Sequence, residues 1–251
     1  MPIILVTNDD GIHSPGLIAL ARAMRELGDV YIVAPDRERS AVSHSLTLHR
    51  PLKVEKLSED VFSIDGTPTD CVILAISKLL PDRPALVASG INRGGNLGGD
   101  ISYSGTVSGA IEGTILGIPS FAISLVTGDE PQPIHLESAS AFATRIGRSI
   151  LEKSLPPDTL LNINVPNADK SKILGIRFTR QGKIVYNNAI QEIHDPRGKV
   201  HYWLGGSQLY VEREKDTDVQ AVSDSYISIT PIHLDLTNYD ALNLLRANFH
   251  L

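Results

Sequence analysis

Two carboxylates, Asp9 and Asp10, directly follow the first apolar run of the chain, residues 3–6. Four aliphatic residues in succession predict a strand buried on both faces, as in a parallel sheet. Acids inside such a strand would place charge in apolar surroundings, at a cost on the order of several kcal/mol. Gly11 lets the chain turn, so we expect both acids in the crevice beyond the strand, where open α/β sheets bind ligands. The pair predicts a divalent-metal site, or alternatively solvated turn acids that cap the next helix.

Two further polar loops, residues 36–45 and 90–106, also come after apolar runs. Because the carboxyl ends of parallel strands meet at one edge of a sheet, we expect all three loops to lie together. Among the oxygen-bearing side chains of these loops, four are further candidates: Ser40, Asn92, Asn96 and Ser104. Each has a simpler explanation, since such hydroxyls bond their own backbone and asparagine tolerates left-handed turns. The combination in one chain favours a binding site.

The residue types suit one kind of chemistry. Carboxylate, hydroxyl and amide oxygens are ligands for Mg²⁺, Mn²⁺ or Ca²⁺. Ser104, Gly105 and Thr106 stand where a loop enters a predicted helix, so backbone N–H groups and the helix dipole can bind an anion such as phosphate. A phosphate beside two carboxylates would be repelled without a cation. The sequence therefore predicts a metal-assisted phosphate site, and Lewis acidity is what phosphoester hydrolysis requires.

Alternating strands and helices carry these loops. Ser14 and Pro15 resemble an N-cap and first helical residue, and Gly28 is the predicted helix stop. Strands are predicted over residues 30–34, 85–91, 120–125 and 160–165, and helices over residues 72–80, 106–116 and 138–151. A strand–helix–strand order forces parallel pairing. We therefore expect an α/β core over residues 1–170, with a mostly parallel sheet.

Beyond about residue 170 the pattern changes to short strand-like pieces, including residues 208–212 and 226–230, and a terminal amphipathic helix from about residue 240. These pieces look too thin for a second domain. We therefore expect a single domain over residues 1–251, whose C-terminal arm, residues 171–251, packs on the core or on another subunit.

Composition narrows the class of protein. A length of 251 residues with 42% hydrophobic residues is typical of a globular domain, and a net charge of −6 argues against a nucleic-acid polymer as partner. A single cysteine, Cys71, excludes an intrachain disulfide and a cysteine-based metal cluster. With no apolar stretch long enough to span a bilayer and no basic leader, we expect a soluble cytoplasmic protein without membrane contact.

Several of these stretches together resemble the SurE family, the stationary-phase survival proteins that act as metal-dependent nucleotidases. They are TNDDGIHSPG (residues 7–16), APDRERSAVSHSLT (34–47), DGTPTDCV (65–72), SGINRGGNLGGDISYSGTVSGA (89–110) and TDVQAVSDSYISITPIHLDLT (217–237). The resemblance spans most of the chain. One departure is Ser225, which stands where glycine is usual before a tyrosine.

The resemblance implies a Rossmann-like three-layer α/β/α core with a C-terminal arm exchanged between subunits, and a set of residue roles. The metal ligands would be Asp9, Asp10, Ser40 and Asn96, holding Mg²⁺ or Mn²⁺. It implies dephosphorylation of nucleoside 5′-monophosphates, with 3′-monophosphates and short polyphosphate as further substrates, by a homodimer or homotetramer built through the C-terminal arm.

In the expected reaction, Asp9, Asp10, Asn92 and Ser104 are the catalytic residues, and the phosphoryl group is bound by Asn92, Ser104, Gly105 and Thr106. Water activated by the cation attacks phosphorus, with Asp9 as the alternative nucleophile. Tyr103 is the candidate for stacking on the base. Two other functions stay open: a phosphatase working through an aspartyl-phosphate, and a nucleotide-sensing module without turnover.

Overall fold

The computed structural model of the chain describes residues 1–128, 132–187, 189–205 and 208–249. Its strands, numbered along the chain, are β1 (Ile3–Thr7), β2 (Asp29–Pro35), β3 (Val54–Ser58), β4 (Val61–Ile64), β5 (Leu86–Arg93), β6 (Ser120–Val126), β7 (Thr159–Pro166), β8 (Gly175–Phe178), β9 (Ile184–Tyr186), β10 (Ala189–His194), β11 (Val200–Gly205), β12 (Gln208–Val211) and β13 (Tyr226–His233). Its α-helices are α1 (Pro15–Met24), α2 (Pro68–Leu74), α3 (Gly105–Ile115), α4 (Leu136–Lys153), α5 (Asp218–Ser223) and α6 (Tyr239–Asn248).

Nine strands form one sheet in the order β3-β4-β2-β1-β5-β6-β7-β13-β8. The six strands from β4 to β7 pair in parallel, whereas β3 and β13 run antiparallel to their neighbours β4 and β7. The chain runs from β1 outward to β2 and later returns to β5 on the other side of β1, which makes the gap between β1 and β5 a topological switch point. Ligands bind at such a point in open α/β sheets.

Alternation along β1 assigns each side chain to one layer of helices. Ile4 and Val6 pack in the cluster that contains Leu17 of α1 and Phe142 of α4. Leu5 packs in a second cluster, with residues of α2 such as Val72. Helices thus cover both faces of the sheet, so the predicted three-layer α/β/α fold with a mostly parallel sheet is confirmed.

Local signals placed most core elements correctly. Ser14 caps α1 by accepting from the Leu17 N–H, and Thr67 and Asp70 form a capping box at α2. Two details of the prediction were wrong. α1 ends at Met24, four residues before Gly28, and the second helix passes from α at Leu74 into a π-helical turn, Ala75–Leu79.

The hairpin of β3 and β4 was not predicted. β3 is exposed along its whole length and lies at the sheet edge, so it lacks the apolar signature of a buried strand.

Part of the C-terminal region joins the nine-stranded sheet, and part forms separate two-stranded sheets. β8 and β13 join the nine-stranded sheet, so two strands of the predicted arm belong to the core layer. The antiparallel pairs β10–β11 and β9–β12 form separate two-stranded sheets. The predicted terminal helix is present as α6 and has no buried residue. Among the described residues, no helix is both long enough and apolar enough to traverse a bilayer.

The first turn of α1 touches the backbone of β5, and this contact sets how closely the helix approaches the switch point. A Cβ atom built on Gly16 would lie 2.0 Å from the carbonyl oxygen of Ile91.

We expect Gly16→Ala to force α1 off the sheet, at a cost of about 1–3 kcal/mol, and to lower the melting temperature by roughly 2–4 °C for each kcal/mol.

Gly99→Ala is the matched control, because a Cβ at Gly99 has no atom within 4 Å. Thermal unfolding of both variants tests the contact. Equal melting temperatures for the two would contradict it.

Candidate active site

Asp9 lies just beyond β1 and is buried against the first turn of α3. Its Oδ1 accepts a hydrogen bond from the Thr106 hydroxyl. A Cβ built on Gly105 would lie 2.7 Å from the Cβ of Asp9, so only glycine allows this approach of helix to carboxylate. Burial raises the pKa of Asp9, and the hydrogen bond from Thr106 opposes that rise only in part. The ionised carboxylate is therefore held at a cost in free energy.

Asp10 turns toward the other face of the sheet and is half-buried. Its Oδ2 accepts from the backbone N–H of Arg93 at 3.4 Å. Burial, followed by repulsion from Asp9, raises the pKa of Asp10 to about 6. Asp9 therefore lies close enough to oppose the ionisation of Asp10.

The turn that carries the acids is held by Asn8. Its Nδ2 donates to the carbonyl of Gly11 at 3.1 Å and to the hydroxyl of Ser14 at 2.8 Å. Gly11 has a φ of +96°, a conformation that L side chains rarely adopt. The strand end, the turn and the cap of α1 thus form one hydrogen-bonded unit.

The loop that carries Ser40 is hydrogen-bonded to the acidic turn. The Arg39 N–H donates to the carbonyl of Asp9 at 2.7 Å, which fixes the loop against the acidic turn. The Ser40 hydroxyl is exposed and donates to Glu38 Oε1 at 2.5 Å instead of to either aspartate. Burial is the largest cause of the raised pKa of each aspartate. The negative charge of Glu38 adds to the rise at both, because it opposes their ionisation. Glu38 is thus a third acidic group at the site, which the sequence analysis did not single out.

The remainder of the second loop is anchored to the third loop and to α3. The N–H of Ser43 donates to the carbonyl of Tyr103 at 3.1 Å, and its hydroxyl donates to the carbonyl of Ser102 at 2.8 Å. His44 Nε2 lies 2.8 Å from the buried Glu112 carboxylate of α3. These contacts confirm that the second and third loops lie together.

Asn96 is buried, and its backbone is held by two asparagines of β7. Asn164 accepts from the Asn96 N–H at 2.9 Å, and the side-chain amides of Asn162 and Asn164 both donate to its carbonyl. The Asn96 Nδ2 donates to Ser124 of β6 at 2.8 Å. The side-chain nitrogen of Asn96 is therefore occupied, and its side-chain oxygen, Oδ1, is the atom suited to a cation. The Asn-Ile-Asn alternation in β7 could have indicated this network.

Asn92 stands at the end of β5, opposite Ser124 in the register of β6. Its Nδ2 donates to the carbonyl of Gly94 at 2.8 Å, which orders the start of the third loop. Ser124 thus pairs with Asn92 in register and bonds to Asn96, and it lies on β6, two strands from β1.

Asp218 of α5 fastens the third loop to the C-terminal region. This fully buried carboxylate accepts from the N–H groups of Gly98 and Gly182, each at 2.8 Å. Gln181 donates to the carbonyl of Gly98 at 2.8 Å. Because Asp218 lies 120 residues from Gly98, sequence spacing gave no signal for this contact.

The N-terminus of α3 lies next to Asp9. Ser104 caps the helix, accepting from the Val107 N–H at 3.0 Å. In an α-helix the first N–H groups have no intrahelical partner, which leaves those of Gly105 and Thr106 for an anion, together with the positive end of the helix dipole.

The structure therefore places one part of the predicted site in direct contact, and the other predicted residues lie around that part. Direct contacts join Asp9 to Thr106 and pack Gly105 against it. Ser40 and Asn96 flank this centre, and their side-chain hydrogen bonds go to Glu38 and Ser124. In the ranges that the structure describes, no group of three or more His, Cys, Asp or Glu side chains suits a metal ion. A metal here would need the neutral oxygens of serine and asparagine.

The fold and this site define a class: Rossmann-like α/β proteins with a candidate ligand site at the switch point of a parallel sheet. Within that class, the model of the family described as survival protein SurE matches residues 4–188. The chain belongs to the SurE family.

Similar proteins extend the match over nearly the whole chain. It is 51% identical over 244 residues to a protein named 5′-nucleotidase SurE from Geobacter sulfurreducens, covering 97% of this chain and 92% of that one. The protein of the same name from Geobacter metallireducens is 53% identical over 243 residues, covering 97% and 96%. A crystal structure of SurE protein from Aquifex aeolicus superposes with a TM-score of 0.86 at 46% identity, covering 98% of this chain and 99% of that one.

The raised pKa of Asp10 predicts how stability changes with pH. Its usual value of 3.8 becomes about 6 in the folded protein, so the folded state binds the proton more tightly than the unfolded chain. The resulting cost is absent below about pH 4 and complete above about pH 6. In EDTA at pH 7.5 we expect Asp10→Asn to raise stability by roughly 1 kcal/mol after allowance for solvent screening, or about 2–4 °C.

The gain should vanish as the pH falls toward 4, and differential scanning calorimetry across this range measures it. Asp82→Asn, at an exposed position, is the matched control and should show no such trend. A less stable Asp10→Asn protein at pH 7.5 would contradict the electrostatic account.

Proposed function

We propose that this chain is a metal-dependent phosphomonoesterase that hydrolyses nucleoside 5′-monophosphates, with 3′-monophosphates and short polyphosphate as secondary substrates. The names of its relatives support the substrate class. The observation that carries the proposal is the juxtaposition of two carboxylates, each with a raised pKa, and the helix N-terminus at Gly105. A phosphate and a divalent cation bound together would satisfy both halves of this site.

The residues present fit a divalent cation. Asp9 and Asp10 supply two negative charges whose ionisation a cation would favour, because its charge would offset the burial that raises both pKa values and the repulsion from Asp9 that adds to the rise at Asp10. The Ser40 hydroxyl and the side-chain oxygen of Asn96 add neutral oxygen ligands. This all-oxygen set suits Mg²⁺ or Mn²⁺.

The phosphoryl group would be bound at the start of α3. The N–H groups of Gly105 and Thr106 donate to its oxygens, and the Ser104 hydroxyl, which accepts from Val107, keeps its own proton for donation. The Asn92 side chain orients the group from β5. The Thr106 hydroxyl holds Asp9 in place through their hydrogen bond.

When bound, the cation supplies Lewis acidity toward the phosphoryl oxygens and activates water as the nucleophile. The chain itself contributes fixed donors aimed at the oxygens on which charge accumulates during P–O cleavage. Asp9, with one oxygen engaged by Thr106, is positioned as a ligand, and direct attack by its carboxylate is the alternative route.

Asp9→Asn tests the assignment. We expect loss of metal binding by calorimetry and a fall of at least about 10³-fold in phosphate release from AMP, because a preorganised charge at the reacting centre is removed. The far-UV circular dichroism should stay unchanged. Asp82→Asn, which lies before β5 at the opposite edge, is the control and should retain full activity.

Full activity of Asp9→Asn at saturating Mg²⁺ would refute the assignment. A protein that binds metal and AMP but releases no phosphate would instead be a sensing module, and a trapped phospho-enzyme would indicate attack by Asp9.

We also propose that the chain forms a homo-oligomer through its C-terminal arm, in the cytoplasm. The hairpin of β10 and β11 carries six large apolar side chains that are 41–82% exposed: Ile190, Ile193, Val200, Tyr202, Trp203 and Leu204. Apolar side chains concentrated in this way mark an interaction surface. A second copy of the chain, presenting the same surface, would cover them.

Trp203→Glu should shift the protein toward monomer in sedimentation velocity, because the charge would be buried in a subunit contact. Ile18→Glu, at an exposed position on α1, is the control. An unchanged sedimentation coefficient for Trp203→Glu would exclude this hairpin as the contact.

A further inference from the structure

A cavity of about 240 Å³ lies at the β8 edge of the nine-stranded sheet, between α4 and the strands β8 and β13. Helix α4 packs mainly on α1, β5 and β6, whereas the sheet continues past β7 to β13 and β8. The cavity is therefore the space left where the helical layer ends before the sheet does. Of the described residues, none that was assigned to the metal or the phosphate lines it.

Most of the lining of this cavity is apolar. Phe142 of α4 and Ile227 of β13 are each 6% exposed, and Ile173 and Ile176 beside them are half-buried. All four side chains pack in the largest hydrophobic cluster of the protein. An apolar group bound here would extend that cluster, and each methylene that it buries strengthens binding about fourfold.

The volume of the cavity limits the size of its occupant. Pockets for drug-sized ligands measure about 300–1,000 Å³, so this cavity suits a smaller molecule. Since a water molecule occupies roughly 30 Å³ in the liquid, the cavity corresponds to about eight waters, or a short apolar chain of about seven or eight heavy atoms.

Two cationic side chains, Arg145 of α4 and Lys170 of the 3₁₀ turn before β8, also line the cavity, and both are exposed. In the part of the chain that the structure describes, neither side chain forms an ion pair or a hydrogen bond. Asp169 precedes Lys170 in the chain, but its Oδ1 accepts from the N–H and the hydroxyl of Ser171. The two positive charges are therefore available to a ligand.

The charges indicate which ligand the apolar space accepts. Because the chain carries a net charge of −6, its overall field repels anions, and an anion needs a local cation to bind. Arg145 can bind a carboxylate through two parallel hydrogen bonds, and Lys170 adds a point charge. Both cations are exposed, so the carboxylate would stay in contact with water and avoid the cost of full burial.

We propose that this cavity is a second ligand site, which binds a small amphipathic carboxylate. The apolar chain of the ligand packs on Phe142 and Ile227, and its carboxylate is held at the mouth by Arg145 and Lys170. This site is separate from the candidate active site, and the inference does not depend on the proposed nucleotidase function.

Octanoate is the probe, and isothermal titration calorimetry measures its binding. We expect saturable binding of one octanoate per chain. Acetate carries the charge without the chain, and 1-octanol carries the chain without the charge. Acetate should give no detectable binding, and 1-octanol should bind at least about threefold more weakly than octanoate, because it gains neither charge interaction. An excess of AMP should leave the Kd of octanoate unchanged.

The double variant Arg145→Gln/Lys170→Gln tests the charges. Its Kd for octanoate should rise at least about threefold, while its Kd for 1-octanol stays the same. Arg148→Gln/Lys172→Gln is the matched control, because it removes the same two charges from exposed positions on the same helix and the same turn, outside the lining of the cavity. This control should bind octanoate as the wild type does.

Ala141→Trp tests the apolar space. Ala141 is exposed and lines the cavity, so an indole at this position would occupy the space of the chain without disturbing the core. We expect the Kd values of octanoate and 1-octanol both to rise at least about tenfold, since two or more methylenes lose their contacts. Ile18→Trp places the same side chain on the exposed surface of α1 and should change neither value.

Several results would overturn the proposal. Wild-type protein that shows no saturable octanoate binding would exclude the site, and equal weakening by the two double variants would reduce the effect to the general charge of the protein. Unaltered octanoate affinity in Ala141→Trp, or competition by AMP, would place the ligand elsewhere. If the wild type binds no octanoate and Ala141→Trp changes the sedimentation coefficient, a second copy of the chain covers the cavity instead.

Discussion

The structure depends on one electrostatic constraint: two carboxylates are held at the buried end of β1 without full compensation. Burial raises the pKa of Asp9, and burial together with Asp9 raises that of Asp10. The hydroxyl of Thr106, the N-terminus of α3 and the N–H of Arg93 oppose this only in part. Carboxylates with raised pKa values are concentrated at functional sites, and under the proposed function a bound cation would offset this cost.

The pleat of β1 gives this charge its geometry. Ile4 and Val6 face α1 and α4, while Leu5 faces α2. Beyond the strand end, Asn8 bonds to Ser14 at the start of α1, and Asp9 bonds to Thr106 of α3. Asp9 consequently meets α3 and Asp10 meets the start of α1. One strand end therefore presents an acid toward the helices on each face of the sheet, at the switch point between β1 and β5.

Features that depend on local sequence could be predicted, and features that depend on distant contacts could not. The caps at Ser14, Thr67 and Ser104, the buried strands and the acidic turn follow from residue types within a few positions. The network that holds Asn96 joins residues 68 positions apart, and no local pattern fixes that pairing. The same reason explains β13, whose sequence predicts a strand but not its antiparallel place beside β7. Ser225 is intermediate: its φ of +63° is the conformation for which glycine is usual, so the departure from the family pattern keeps the turn at some cost in strain.

Asp218 shows why the C-terminal region cannot be separated from the site. Its buried carboxylate accepts from Gly98, two residues beyond Asn96, and from Gly182 at the base of the surface hairpins. Burial raises its pKa, and the backbone N–H groups that it accepts from oppose this rise. If α5 or the segment around Gly182 moved, a buried carboxylate would lose partners, at a cost of about 1–3 kcal/mol or more. The third loop is therefore positioned jointly with the region that carries the exposed β10–β11 hairpin, and an assembly that orders this region would also hold Asn96 in place.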